Sequence, residues 1–271
     1  MTIERTEGIV LKTYDYSETS KIAVLFTQRF GKIKVIAKGV KSPKSRTSSI
    51  AEPGTHVKIV FYYKPERDLY NVSEVQLLDQ FSGVRTDLHK FGLYMYILEL
   101  TDALFEHVED QVSDFFDTYI EIIRKFSLSD GPDIYVRALE IKMLDILGHM
   151  PLLDRCTGCG KELPANILDS LYRAKEGCEI TADASKKNLY LSPKQGGLIC
   201  SSCRGRFSGL LRCPLAVLQI FVYLANCEVD SIDNVTLEKR DAATLKNILR
   251  KVLDFWVGKS LKSLDYLEKS F

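Results

Sequence analysis

Residues 21–46 read KIAVLFTQRFGKIKVIAKGVKSPKSR, and this stretch decides how the first third of the chain folds. KIAVLFTQ is a short apolar run rich in residues that suit a pleated strand, and Arg29 to Gly31 then supply a turn. In the run that follows, Lys32, Lys34 and Lys38 fall on one face and Ile33, Val35 and Ala37 on the other, which is the two-residue period of a strand. The segment after Lys41 is Ser-rich and broken by Pro43, so it reads as a loop. Working outward, EGIVLKTY (7–14), THVKIVFYY (55–63) and LYNVSEVQLL (69–78) have the same character and are bounded by turn-forming stretches, among them Lys64 to Asp68 with Pro65. Five strands within about 80 residues, with no good helix between them, predict a small closed barrel, of which the OB type is one member.

From Asp87 the period changes. Leu88, Phe91, Leu93, Tyr94, Ile97, Leu98, Thr101 and Leu104 recur at helical spacing, as do Phe115, Phe116, Tyr119, Ile122 and Ile123. Asp133 is placed to cap a third helix that Gly148 and Pro151 end, Pro214 to start a fourth, and 242–267 to form one or two more. The expected class is α+β and multidomain: an OB-type barrel over 1–80, then an α-helical domain over 81–271 with a cysteine module inserted at 154–206.

The chain has 271 residues, 45% hydrophobic and 27% charged, which excludes a mainly disordered chain, a collagen-like chain and a disulfide-dense mini-protein. No apolar run approaches a membrane span, and Glu4, Arg5 and Glu7 occupy the place of a signal peptide's apolar core, so a cytoplasmic protein is expected. The net charge of +1 hides a sorting along the chain. Residues 1–80 carry 13 basic and 9 acidic side chains, whereas 81–150 carry 6 and 13. Different segments should therefore meet different partners.

Cys156-Thr-Gly-Cys159 and Cys200-Ser-Ser-Cys203 form a CxxC…CxxC set. Two intervening residues let both thiolates of a tight turn face one ion, and two such turns complete a tetrahedral sulfur shell for one structural Zn²⁺. The alternative is four unrelated buried thiols. Forty residues separate the two pairs, so the insert must loop out, with a hairpin expected around Glu179 to Leu191. Cys178 is a weaker competitor as a ligand, Cys213 and Cys227 read as core, and His149 lies close enough in sequence to approach the metal, but four thiolates already fill its shell.

The second signal is electrostatic. Between Thr19 and Ala51 stand Lys21, Arg29, Lys32, Lys34, Lys38, Lys41, Lys44 and Arg46, with no acidic residue among them. A cationic strand face running into a cationic loop suits a phosphate backbone. The plain alternative is a solvated face whose lysines guard a sheet edge. Phe26, Phe30, Tyr62 and Tyr63 could stack bases but fit barrel core at least as well. No GxxxxGK[ST], HExxH or GxSxG is present and the four histidines lie far apart, so no enzyme is read here.

The opening EGIVLKTYDYSETSKIAVLFTQRFGKIKVIAKGVKSPKSR resembles the N-terminus of the bacterial RecO family of DNA repair proteins. So do the helix LYMYILELTDALFE, the segment RALEIKMLDILGHMPLLDRCTGCG and the later GGLICSSC, in the family's order from residue 7 to about 205. The resemblance implies an OB barrel, a helical domain and an inserted zinc module. It implies a non-enzymatic mediator that binds single- and double-stranded DNA, anneals complementary strands and works with RecR to load RecA onto strands coated by single-strand-binding protein. It makes Lys32, Lys34, Lys38, Lys41, Lys44 and Arg46 part of a DNA track, extended by Arg204 and Arg206. Some of Arg124, Lys125, Arg137 and Lys142 would take the acidic C-terminal tail of single-strand-binding protein. The spacer between the cysteine pairs is longer than the family leads one to expect, which leaves the role of 161–199 open. The competing classes are a zinc-ribbon RNA-binding or transcription-associated factor and a protein adaptor without DNA binding.

Overall fold

A computed structural model describes residues 2–41, 47–106, 112–177 and 188–270. The chain divides into two compact units, 1–132 with 261–271, and 133–260.

In the first unit, β1 (Thr2–Asp15), β2 (Lys21–Thr27), β3 (Gly31–Ala37), β4 (His56–Tyr63) and β5 (Leu69–Asp79) form a closed barrel in the order β1-β2-β3-β5-β4. β3 and β5 pair in parallel, Val35 opposite Tyr70, while every other seam is antiparallel. This is the five-strand OB-type arrangement that the strand count anticipated. Inward residues follow the two-residue period: Ala23, Leu25, Ile33, Val35, Ala37, Val57, Ile59 and Phe61 fill the interior. β1 continues past the apolar run of the sequence to pair along most of β4, Ile3 opposite Tyr62.

The same unit holds α1 (Leu88–Leu104), α2 (Val112–Leu128) and α7 (Lys262–Ser270). Asp87 caps α1 by accepting the Lys90 N–H. Phe26, on the outer side of β2, is wholly buried, its ring 4.8 Å from that of Phe105 and 5.5 Å from that of Tyr119. The helices therefore cover part of the barrel wall, and burying such a ring is worth about 2–3 kcal/mol. The carboxylate of Glu99 accepts the Lys262 and Ser263 N–H groups and the Ser263 hydroxyl, which fixes the start of α7 against α1. Gly92 permits that approach, since a Cβ there would lie 2.8 Å from Leu267 Cδ2.

The second unit contains α3 (Asp133–Ile146), α4 (Ala165–Lys175), α5 (Leu215–Asn226) and α6 (Lys239–Val257), with a four-stranded sheet. The sheet runs β6 (Leu152–Cys156), β8 (Gly197–Ile199), β7 (Asn188–Ser192), β9 (Leu211–Pro214). Two features of the insert differ from expectation. The hairpin is β7 and β8, with Leu191 opposite Leu198, so it begins where the expected one ends; residues 178–187, and Cys178 with them, lie outside the described residues. The segment before it forms α4, which buries Ile167, Leu171 and Ala174 against the unit. Its three apolar contacts at helical spacing are few enough to be hidden in a polar stretch.

Candidate nucleic-acid face and metal centre

The eight cations between Thr19 and Ala51 do not form one band. Lys44 and Arg46 lie outside the described residues. Lys34 and Lys38 are exposed and have no carboxylate partner among the described residues. Lys41 and Lys21 share Asp15, at 3.2 and 3.5 Å, and this exposed carboxylate is held below its ordinary pKa first by Lys41 and then by Lys21. Arg29 meets Glu4 at 3.5 Å. Lys32 departs from its expected role: only a tenth of its side chain is exposed, and its ammonium lies 3.3 Å from Asp102 Oδ1. Lys12 reaches the other oxygen of Asp102 at 2.5 Å. Burial alone would raise the Asp102 pKa, but the two lysines outweigh it and hold the carboxyl below its ordinary value. Carboxylates brought in from β1 and α1 thus neutralise several cations that look uncompensated in a sequence window, and Lys32 is a structural residue sealed at the end of α1.

Of the aromatic candidates, Phe26 is core beneath the helices, and Phe30 and Tyr63 pack against Phe61 of the barrel interior, 5.3 and 6.3 Å between centroids. Tyr62 is partly exposed. Tyr14 is half exposed and was not singled out by the sequence. Its signal was the alternation of β1, which puts it on the outer face two positions beyond Lys12.

Arg124 and Lys125 belong to the first unit, Arg137 and Lys142 to the second. Arg124 is exposed, 3.5 Å from Asp79. Lys142 donates to the carbonyls of Ala225 and Cys227 at the end of α5, a C-terminal capping contact. Arg137 is buried against Glu140 at 2.8 Å, and its Nε has no hydrogen-bond partner among the described residues. It lines an open groove of about 290 Å³ with Ile134, Leu237, Ala242 and Lys246. The sequence did not point to Lys246, which α6 brings beside Arg137 from more than a hundred residues away.

The four cysteines converge. The Sγ atoms of Cys156, Cys159, Cys200 and Cys203 all lie within 4.8 Å of one another, and Cys159 and Cys200 are 3.8 Å apart. A tetrahedral metal with sulfur at about 2.3 Å requires sulfur–sulfur separations of about 3.8 Å, so the cluster fits one ion. Each pair sits in a tight turn, closed by Gly160 N–H to Cys156 O at 2.8 Å and by Cys203 N–H to Cys200 O at 3.1 Å. Gly160 has a φ of +74°, the left-handed conformation that relieves the chain after the second ligand. Gly158 admits the Phe207 ring, 2.7 Å from where a Cβ would stand, and that ring closes the apolar shell with Ile199 and Tyr190. Burial opposes ionisation of Cys156, but the N–H groups of Cys200, Gly158 and Cys159 outweigh it and bring the thiol down to about 6. Burial pushes Cys203 up to about 12. Cys213 is a core thiol, likewise raised to about 12 by burial. His149 does not belong to the cluster's four thiol donors; it stacks on Trp256 with 3.7 Å between centroids. Arg204 lies beside the second pair with its guanidinium 4.3 Å from the Tyr190 ring centroid, and Arg206 is exposed two residues on. No described helix is long and apolar enough to cross a membrane.

A five-strand barrel of OB type, helices over its wall and a four-cysteine cluster in a second unit define a multidomain OB-fold protein with a cysteine module suited to a metal ion. The family model described as recombination protein O N terminal matches residues 1–81, and that described as recombination protein O C terminal matches 85–265. The chain belongs to the recombination protein O (RecO) family, and its role lies in DNA repair and recombination. Relatives named DNA repair protein RecO include those of Halalkalibacterium halodurans, 26% identical over 98% of this chain and 94% of the relative, and of Oceanobacillus iheyensis, 27% identical over the same shares. The relative from Bacillus subtilis is 26% identical, again over 98% and 94%.

Proposed function

We propose that this chain is a non-enzymatic mediator of DNA repair that holds single and double strands on the barrel, anneals complementary strands and, with RecR, promotes RecA loading on strands coated by single-strand-binding protein. The observation that carries the DNA-binding part is the pair Lys34, on the outer face of an OB-type barrel, and Lys38, in the turn that follows β3, both exposed and without carboxylate partners among the described residues. Lys41 and Lys21 join them, because their pairing with the exposed Asp15 is screened by water and yields readily to a phosphate. Lys44 and Arg46 continue the track along the chain, and Arg204 and Arg206 add cations on the metal module. An annealing mediator needs strands held by their backbones with little reading of sequence, which phosphate attraction supplies.

The metal is one structural Zn²⁺. Four soft thiolates leave no open position for a substrate, so the ion holds the two turns together and does no chemistry. The acidic tail of single-strand-binding protein fits the groove of the second unit, where the exposed Lys246 offers positive charge, Ile134, Leu237 and Ala242 offer apolar surface, and Arg137, paired with Glu140, lines the wall with Asp133. Such a protein works in the cytoplasm, associated with the nucleoid. The test is annealing of complementary oligonucleotides: acceleration by the purified protein, lost on charge reversal of Lys34 and Lys38, supports the reading, and an unchanged annealing rate refutes it.

A further inference from the structure

The helices cover the barrel wall unevenly. In the register of β1, β2 and β3, Ile9, Phe26 and Lys32 form one outward row, and Lys12, Val24 and Lys34 the next. Phe26 and Val24 are buried, and Asp102 pairs with the half-exposed Lys12 and the nearly buried Lys32. The row after these is Tyr14, Ile22 and Ile36, with Asn71 of β5 beside Ile36. It points outward because its chain neighbours Ala23, Val35 and Ala37 are barrel core. Tyr14 is half exposed, and Ile22 and Ile36 are partly so. Four strands at about 4.8 Å spacing make this strip about 14 Å long. Lys34 and Lys38 stand two positions either side of Ile36 on the same chain, both exposed. Lys12 stands in the same row as Lys34, at the Tyr14 end of the strip, its ammonium 5.7 Å from the Tyr14 ring centroid and fixed by Asp102. An aromatic ring and two branched aliphatics are thus laid in a row between exposed cations.

We propose that Tyr14, Ile22 and Ile36 form a floor for unpaired nucleobases, so that the barrel binds a single strand with its bases down and its phosphates toward Lys34 and Lys38. The inference rests on the DNA-binding reading above and adds to it a choice between single strand and duplex. In a duplex the base faces are stacked on one another and only phosphates, sugars and base edges are offered, so the apolar strip gains nothing. In a single strand every base has a free face, and an aromatic side chain takes it whatever the base. The charge around the strip argues for a polyanion in place of a protein partner.

The experiment compares fluorescence anisotropy with oligothymidylate and with a duplex of equal length, using wild type, Tyr14→Ala, Tyr14→Phe and the Lys34→Glu/Lys38→Glu double variant. Tyr14→Ala should weaken single-strand binding by about tenfold, the loss of one stacked base, and leave duplex binding within about twofold. Tyr14→Phe should retain single-strand affinity, and neither Tyr14 variant should change the salt dependence or the melting temperature. Equal losses on both ligands, or no loss on the single strand, overturn the stacking floor. If the double lysine variant binds both ligands like wild type, the DNA track itself falls, which is a separate failure from that of Tyr14.

Discussion

The Lys32 ammonium lies 3.3 Å from Asp102 Oδ1 and donates to the Asp102 carbonyl oxygen at 2.7 Å, joining β3 of the barrel to the last turn of α1. Lys12 of β1 completes the arrangement from the neighbouring side, so two strands converge on one carboxylate. The carbonyl contact also meets a group that α1 leaves without an intrahelical partner near its C-terminus, where a cation is favoured. This joint decides which part of the barrel face is covered and which is open.

Replacing Asp102 by Asn should destabilise the protein by about 2 kcal/mol, less than a fully buried pair because Lys12 remains partly in water. Urea unfolding should show a lower midpoint with an unchanged m value. The carboxyl is more acidic in the folded chain than in the unfolded one, so its contribution is complete at neutral pH. It should fade as pH falls through the usual value near 3.8 toward the depressed one, and the gap between wild type and Asp102→Asn should close over that range.

Charge reversal at Lys34 and Lys38 should weaken DNA binding at every sequence alike and reduce the salt slope for single strands by about 1.4, two phosphates' worth. Lys32→Gln should behave differently, lowering stability while leaving that slope unchanged. Titrations at several salt concentrations, run beside thermal melts, separate the two classes of lysine.

Elemental analysis should find about one zinc per chain, and Cys156→Ser or Cys203→Ser should remove most of it. Both residues are buried in the cluster, so the empty variants should also melt earlier. Because ligands bind as thiolates, acidification should release the metal, and a colorimetric chelator would follow its release.

Lys246→Glu should weaken binding of a short acidic peptide ending in a free carboxylate at least about tenfold by reversing an exposed charge in the groove, whereas Arg137→Ala should chiefly lower stability, because it leaves Glu140 buried without its ion partner. Lys142→Ala should leave peptide affinity unchanged and lower stability instead, since its ammonium is spent on the carbonyls of Ala225 and Cys227. Calorimetric titration with the peptide, alongside melts, distinguishes these results.

Much of the architecture was readable in the chain. Alternation placed all five strands, with β2 and β3 right to within a few residues, because one face of each is core and a slip by one would invert it. The long helices α1 and α2 announced themselves through many apolar residues at helical spacing, whereas α4 and the true position of the insert's hairpin did not. The two cysteine pairs were legible because a thiolate turn is a local feature, and their meeting was implied by the valence of one metal.

Local sequence therefore determined the strand and helix order, the barrel type it permits, and the two knuckles of the metal centre, since each depends on neighbours a few residues away. Tertiary structure alone decided which lysines face solvent freely. Charge pairing acts across space, so Asp102, seventy residues beyond Lys32, and Asp15, outside the cationic window, neutralise what a linear count leaves positive. The same packing put Lys246 beside Arg137 and left Tyr14 uncovered where the helices end, because burial depends on what another part of the chain lays over a residue.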